Sequence, residues 1–223
     1  MKKNLYFARL LLAGSIAMIF LNYGAITGYA EMPKATVNIV KWYCLSGGET
    51  EAINDYMEIV HGLADVSERY FYENDIPELM REISIVENRE AYTQKKAVAY
   101  IRKLINRGSI PNYILTSGKY TYKENINAVV PNQNFFYDDL LNLRSQPNAR
   151  SRIITKLGAI YTGDFAYIDV ASYVGEWRNP KGTRWVAVEY NGTIGWLHGK
   201  YVRLVTDKEI LLFAEKIKKL LSQ

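Results

Sequence analysis

The chain has a single cysteine, Cys44, and two histidines, His61 and His198. One thiol cannot close an intrachain disulfide and excludes any zinc site built from several cysteines. Two histidines leave little material for a metal centre or a histidine-based triad, so no metal and no cofactor is expected. A large excess of one charge is missing too. The 28 Lys and Arg against 23 Asp and Glu give +5, but Lys2, Lys3 and Arg9 fall in residues 1–30, which hold no acid. Setting those three aside leaves 25 basic against 23 acidic side chains, a net of +2. Nucleic-acid binding needs several phosphate-neutralising cations on one face, and a nearly balanced chain argues against it. What remains is a globular composition, 48% apolar and 23% charged, long enough to bury one core or two small ones.

Residues 1–30 read as a secretory signal peptide: a basic start, an apolar stretch over 10–21, and a small-residue ending at Gly28-Tyr29-Ala30 before Glu31. An uncleaved membrane anchor is the alternative, since about 20 apolar residues can span a bilayer. No cysteine follows the apolar stretch, so the bacterial lipoprotein signal is incomplete. Either way the chain is expected to be exported: periplasmic, associated with the cell envelope, or secreted. It would touch a membrane only through this segment, if uncleaved. A lone thiol in such a compartment, set in Trp42-Tyr43-Cys44-Leu45, reads as a small buried apolar residue.

Helical periodicity dominates 50–108. Ile53, Tyr56, Met57, Val60, Leu63 and Val66 form one stripe, predicting a helix over 51–72. Asp75 as N-cap and Pro77 in the first turn predict a new helix start, with Leu79, Met80, Ile83 and Val86 inward. A third helix is predicted over 93–107, ending at Gly108. Three such helices can cover one another's stripes, so 31–130 is expected to be a small helical domain. The segment 36–45 is rich in β-branched residues and fits a strand or an extended arm.

After Pro131 the period changes. Short β-type runs cover 153–154, 159–161, 166–168, 185–190 and 194–197, and the last two flank Asn191-Gly192, the preferred dipeptide of a tight hairpin. Runs this short and closely spaced suggest a small barrel. Val186, Val188 and Tyr190 alternate with Trp185, Ala187 and Glu189, so one face can enter a core while the other meets a ligand, solvent or a neighbouring domain. Thr206-Asp207-Lys208-Glu209 is a capping box, followed by an apolar stripe of Ile210, Phe213, Ala214, Ile217, Leu220 and Leu221, so an amphipathic helix is expected over 206–222.

Leu141-Asn142-Leu143-Arg144-Ser145-Gln146-Pro147-Asn148 and the run from Trp185 to His198, followed by Tyr201-Val202, resemble the bacterial SH3-like domain. The first run looks like that family's LNVRSGPS motif, the second like its W-x-x-V-x-x-N-G-x-x-G-W-V block. The departures are Gln146 in place of Gly and a longer polar loop over 175–183, containing Trp177 and Pro180. The resemblance implies a barrel over 137–204 that acts as a cell-wall-targeting or protein-interaction module. The whole chain thus reads as α+β and multi-domain: signal peptide, small helical domain, SH3-like barrel, C-terminal amphipathic helix.

A barrel this small is filled by its own side chains, so binding has to be on its surface. Trp177, Trp185, Tyr161, Tyr173 and Tyr201 are the candidate ligand-binding residues, able to stack on sugar rings or pack around a peptide. No catalytic residue is assigned. Cys44 and His61 lack the third group and the nucleophile turn of a cysteine peptidase. Glu78, Glu82 and Glu87 are the carboxyls a lytic glycosidase in the helical region would draw on, but no Glu-Ser motif accompanies them. The expected function is an exported, non-enzymatic adaptor for peptidoglycan or an envelope protein partner, for example in a secretion system. The alternative is a peptidoglycan hydrolase with the helical region catalytic and the SH3-like region targeting the wall.

Overall fold

The computed structural model describes residues 35–45, 48, 66–132, 140–162 and 165–222. The expected signal peptide, the first part of the helix expected over 51–72, and His61 lie outside the described residues. Among the described residues the helices are α1 (Val37–Leu45), α2 (Val66–Glu87), α3 (Gln94–Asn106), α4 (Tyr113–Thr116) and α5 (Asp207–Leu221). The strands are β1 (Lys119–Thr121), β2 (Ile126–Pro131), β3 (Leu141–Arg144), β4 (Ile153–Leu157), β5 (Ala159–Thr162), β6 (Phe165–Ile168), β7 (Ala171–Arg178), β8 (Arg184–Tyr190), β9 (Thr193–His198) and β10 (Val202–Thr206). Eight of them form one antiparallel sheet in the order β10-β2-β7-β8-β9-β3-β4, with β1 also paired to β7, while β5 and β6 form a separate hairpin. The fold is α+β.

Several elements follow directly from local chemistry. The β8–β9 hairpin turns at Asn191 and Gly192, with φ of 48° and 73°, the positive values that this dipeptide tolerates. Thr93 caps α3 by accepting the Lys96 N–H at 3.3 Å. At the other end Gly108 takes φ +72°, and its N–H and that of Ser109 bond the carbonyls of Ile105 and Leu104, the paired pattern of a Schellman stop. The capping box forms at α5: the Thr206 N–H donates to Glu209 at 2.7 Å, and the Thr206 hydroxyl accepts from the Glu209 N–H at 3.2 Å.

Other expectations are corrected. The segment 36–45, which fits a strand or an extended arm by sequence, is helical: Glu82 of α2 caps its N-terminus, accepting the Ile39 N–H at 2.8 Å, while the buried hydroxyl of Thr36 just before the helix has no hydrogen-bond partner among the described residues. The break expected at Asp75 is absent, because α2 runs through Pro77. An internal proline costs a helix about 3 kcal/mol, and Leu79, Ile83 and Val86, all buried, hold the segment beyond it in place. Within the stretch expected to be purely helical, β1 and β2 are strands of the common sheet.

The described residues form two hydrophobic cores. The first joins Ala97, Ile101 and Leu104 of α3 to Leu143, Val186, Val188 and Leu197 of the sheet. The second joins Ile39 and Val40 of α1 and Ile83 of α2 to Ile210, Phe213 and Ile217 of α5. Strand β2 serves both, with Ile126 and Val129 in the first core and Ala128 and Val130 in the second. Its neighbour β10 divides likewise between Val202 and Val205.

Candidate functional site

Cross-strand register gathers aromatic rings on one face of the sheet. Trp177 stands opposite both Tyr120 and Trp185, and Trp185 stands opposite His198. Directly opposed residues share a face. The His198 ring lies 5.1 Å from Trp185 and 5.2 Å from Tyr201, so a row of rings crosses β1, β7, β8 and β9 and reaches the 3-10 turn Gly199–Tyr201.

Most of that row is already covered. Trp177 is not in a loop, which corrects the expectation for 175–183: β7 continues to Arg178, β8 begins at Arg184, and only the turn between them is irregular. The reason is the ladder itself, where Trp177 pairs with Trp185 and Arg178 with Arg184. The Trp177 indole N–H donates to the Ser117 carbonyl at 2.9 Å, and the Tyr113 ring of α4 lies 5.6 Å away. Gly118 makes this approach possible: at φ +87°, a Cβ there would lie 2.3 Å from the Arg178 carbonyl oxygen. Trp177 and Trp185 are each 4% exposed and Tyr173 is 2% exposed. Tyr201 is 40% exposed, with the Lys200 ammonium 5.5 Å from its ring centre. Tyr161 lies in the separate hairpin, where its backbone pairs with Ala166; its ring is outside the described side chains. Trp177 and Trp185 are thus brought together under the chain's own cover, Tyr201 is at the open end of the row, and Tyr161 belongs to a different sheet.

An open concavity lies elsewhere, between α3 and the β8–β9 hairpin. A cleft of about 460 Å³ is lined by Tyr100, Lys103 and Arg107 on one side and by Glu189, Gly192 and Thr193 on the other. Lys103 and Arg107 reach one wall because an i, i+4 pair shares a helix face. Neither the helix stop nor the hairpin turn signals by itself that the two will meet, so the cleft is not visible in the sequence. Its mixed charge suits a polar ligand bearing both donors and acceptors.

No family model, curated protein or solved structure matches the chain.

Beside the aromatic row lies a buried ionic group. Glu176, with its side chain 5% exposed, accepts from Lys123 and from Arg184, each at 3.3 Å, and Arg184 also donates to the Gly199 carbonyl. A buried carboxylate needs such partners, and these tie the β1–β2 connection, β7, β8 and the 3-10 turn together. His198 accepts the Lys200 N–H through Nδ1 at 3.2 Å, capping that turn. Burial, then Lys200 and Arg184, hold its pKa below the usual histidine value.

The carboxyls and thiol of the helical region have structural partners. Glu78 is ion-paired with Arg81 and Glu87 with Lys218. Glu82 caps α1, and burial raises its pKa. Cys44 is 2% exposed, and burial pushes its thiol pKa up to about 11, away from the reactive thiolate. Among the described residues no group of three or more His, Cys, Asp or Glu is placed to hold a metal ion, and no helix is long and apolar enough to cross a membrane.

Proposed function

We propose that this chain is an exported, non-catalytic adaptor of the bacterial cell envelope, whose SH3-like region binds peptidoglycan or a protein partner in an envelope assembly such as a secretion system. The observation that carries the reading is the meeting of the two motif runs. Residues 141–148 and 185–198 are far apart in sequence, yet β3 pairs with β9 at Arg144 and Trp196, and β9 pairs along its length with β8. The engagement of Glu78, Glu82 and Glu87 by structural partners further supports binding over catalysis. Binding surface is left at the α3 to β8–β9 cleft and at the Tyr201 end of the ring row.

The test is a pull-down of the mature chain on purified cell walls, run beside zymography and in-cell cross-linking. Retention on walls, or cross-linking to an envelope protein, without lysis is the expected result. Lysis of the walls would replace the reading with that of a hydrolase, and failure of both retention and cross-linking would end it. Mass spectrometry of the exported product should find Glu31 at its N-terminus, as removal of residues 1–30 requires.

A further inference from the structure

The near balance of charge over the whole chain conceals a local imbalance. Between Asp139 and Asp164 the sequence holds Arg144, Arg150, Arg152 and Lys156 and no acidic residue. These cations sit on the β3–β4 hairpin. Among the described residues the side chains of Arg150, Arg152 and Lys156 form no ion pair, and all three residues are exposed.

The hairpin is also where the sheet ends. Strand β4 closes the strand order and pairs only with β3, so alternate N–H and C=O groups on its other side have no ladder partner among the described strands. Ile153 on this strand is 42% exposed, a large apolar side chain in the middle of a cationic strip. The turn that carries the arginines is braced by its own hydrogen bonds. The Ser145 N–H bonds the Arg152 carbonyl at 2.9 Å, the Arg150 N–H bonds Asn148 Oδ1 at 2.9 Å, and the Arg144 guanidinium bonds the Ser151 carbonyl at 2.8 Å. Charges displayed on a pre-ordered turn lose little conformational freedom when a partner arrives.

We infer that the outer edge of β4 is the docking site for an extended, acidic segment of a protein partner, which adds to the sheet as a further strand. The inference rests on the adaptor reading and names the chemistry of its protein partner. A free edge offers backbone hydrogen bonds to any strand. Lysine and arginine along it disfavour a neutral or basic newcomer and become cross-strand ion pairs for an acidic one, so the same residues both exclude and select. A polyanion recognised by charge alone would need neither the unpaired edge nor exposed Ile153.

The test uses the mature full-length chain and a fluorescent, N-acetylated decapeptide that alternates Glu with Val and Thr, followed by anisotropy. The peptide should bind, and amide exchange in Ile153–Leu157 should slow on binding. Two changes should each weaken binding at least about tenfold, the effect expected when charge complementarity or the backbone ladder is removed. One is the triple variant Arg150→Glu, Arg152→Glu, Lys156→Glu. The other is the same peptide N-methylated at alternate amides, which keeps its charge and leaves the protein untouched if the triple variant does not fold. Equal binding of the methylated peptide, or of polyphosphate or anionic phospholipid vesicles, would replace strand addition with plain charge attraction and overturn the inference. No peptide binding would also overturn it. The adaptor reading would then still stand or fall separately, on wall retention and cross-linking.

Discussion

The two cores on either side of β2 are built differently. The first is held by register: Val186 faces Leu197 and Ala187 faces Trp196 across one hairpin, and α3 lies over the sheet through Ala97, Ile101 and Leu104. The second gathers helices distant in sequence and fastens them with polar pins. Arg203 of β10 bonds the Tyr43 hydroxyl at 2.9 Å and Glu209 at 3.1 Å, and the Tyr43 hydroxyl donates to Glu209 at 2.8 Å, so one cluster locks α1 and α5 to the sheet. The first core draws its specificity mainly from pleat and turn, with the buried Glu176 group as an ionic tie, whereas the helices of the second are placed by hydrogen bonds that only the assembled structure can make.

The largest effect should come from Val188→Asp. Val188 is fully buried, and an unpaired carboxylate there costs several kcal/mol, comparable to the whole stability of a small domain. Circular dichroism should show loss of the cooperative thermal transition; wild-type melting would refute the β8–β9 register.

Next are Trp177→Ala in the first core and Phe213→Ala in the second, each expected to cost about 3–5 kcal/mol. The burial of Trp177 predicts a fall in melting temperature, so the ring acts as a packing residue. Denaturant titration of both single variants and the double variant tests the independence of the two cores. Additive losses fit separate packing, whereas a coupling above about 0.5 kcal/mol would show that β2 transmits strain between them.

The smallest effects should be pH dependences of opposite sign. The pKa of His198 is depressed in the folded chain, so its contribution to stability is intact above the ordinary histidine value of 6.5 and is lost as pH falls through the folded value. Protonation at Nδ1 would also remove the acceptor that caps the 3-10 turn. The pKa of Glu82 is raised above 4.5, so its contribution is fully present below 4.5 and is lost as pH rises through the folded value. Melting curves across a pH series should therefore be flatter on the acid side for His198→Gln, and show a gain for Glu82→Gln, relative to wild type, on the neutral side. Curves parallel to wild type would assign the pH response to other groups.

The sequence was readable where the determinants are local. Thr93 and Gly108 bound α3, Asn191-Gly192 turns the β8–β9 hairpin, and Thr206 with Glu209 starts α5; each signal lies within a few residues of its effect. Where the determinant is remote it was not. The N-terminus of α1 is capped by a carboxylate 43 positions away, and β2 finds its partner in β10. The candidate site divides the same way. Its aromatic residues were evident, but the cover that Tyr113 and Ser117 place over Trp177 depends on how a helix crosses a sheet. The cleft beside Lys103 and Arg107 depends on a different meeting, that of α3 with the β8–β9 hairpin.

Strand β2 has one more consequence, for the growing chain. Its residues Ile126–Pro131 are buried along their whole length, and Pro131 pairs with Val202. A ribosome or translocon releases the chain from its N-terminus, so the apolar run Ala128-Val129-Val130 emerges about 70 residues before the strand that finally shields it, an interval of several seconds at ordinary synthesis rates. During that interval its backbone edge and apolar side chains lack the partner strand that covers them in the finished protein, a cost that falls on folding and not on the stability of the product.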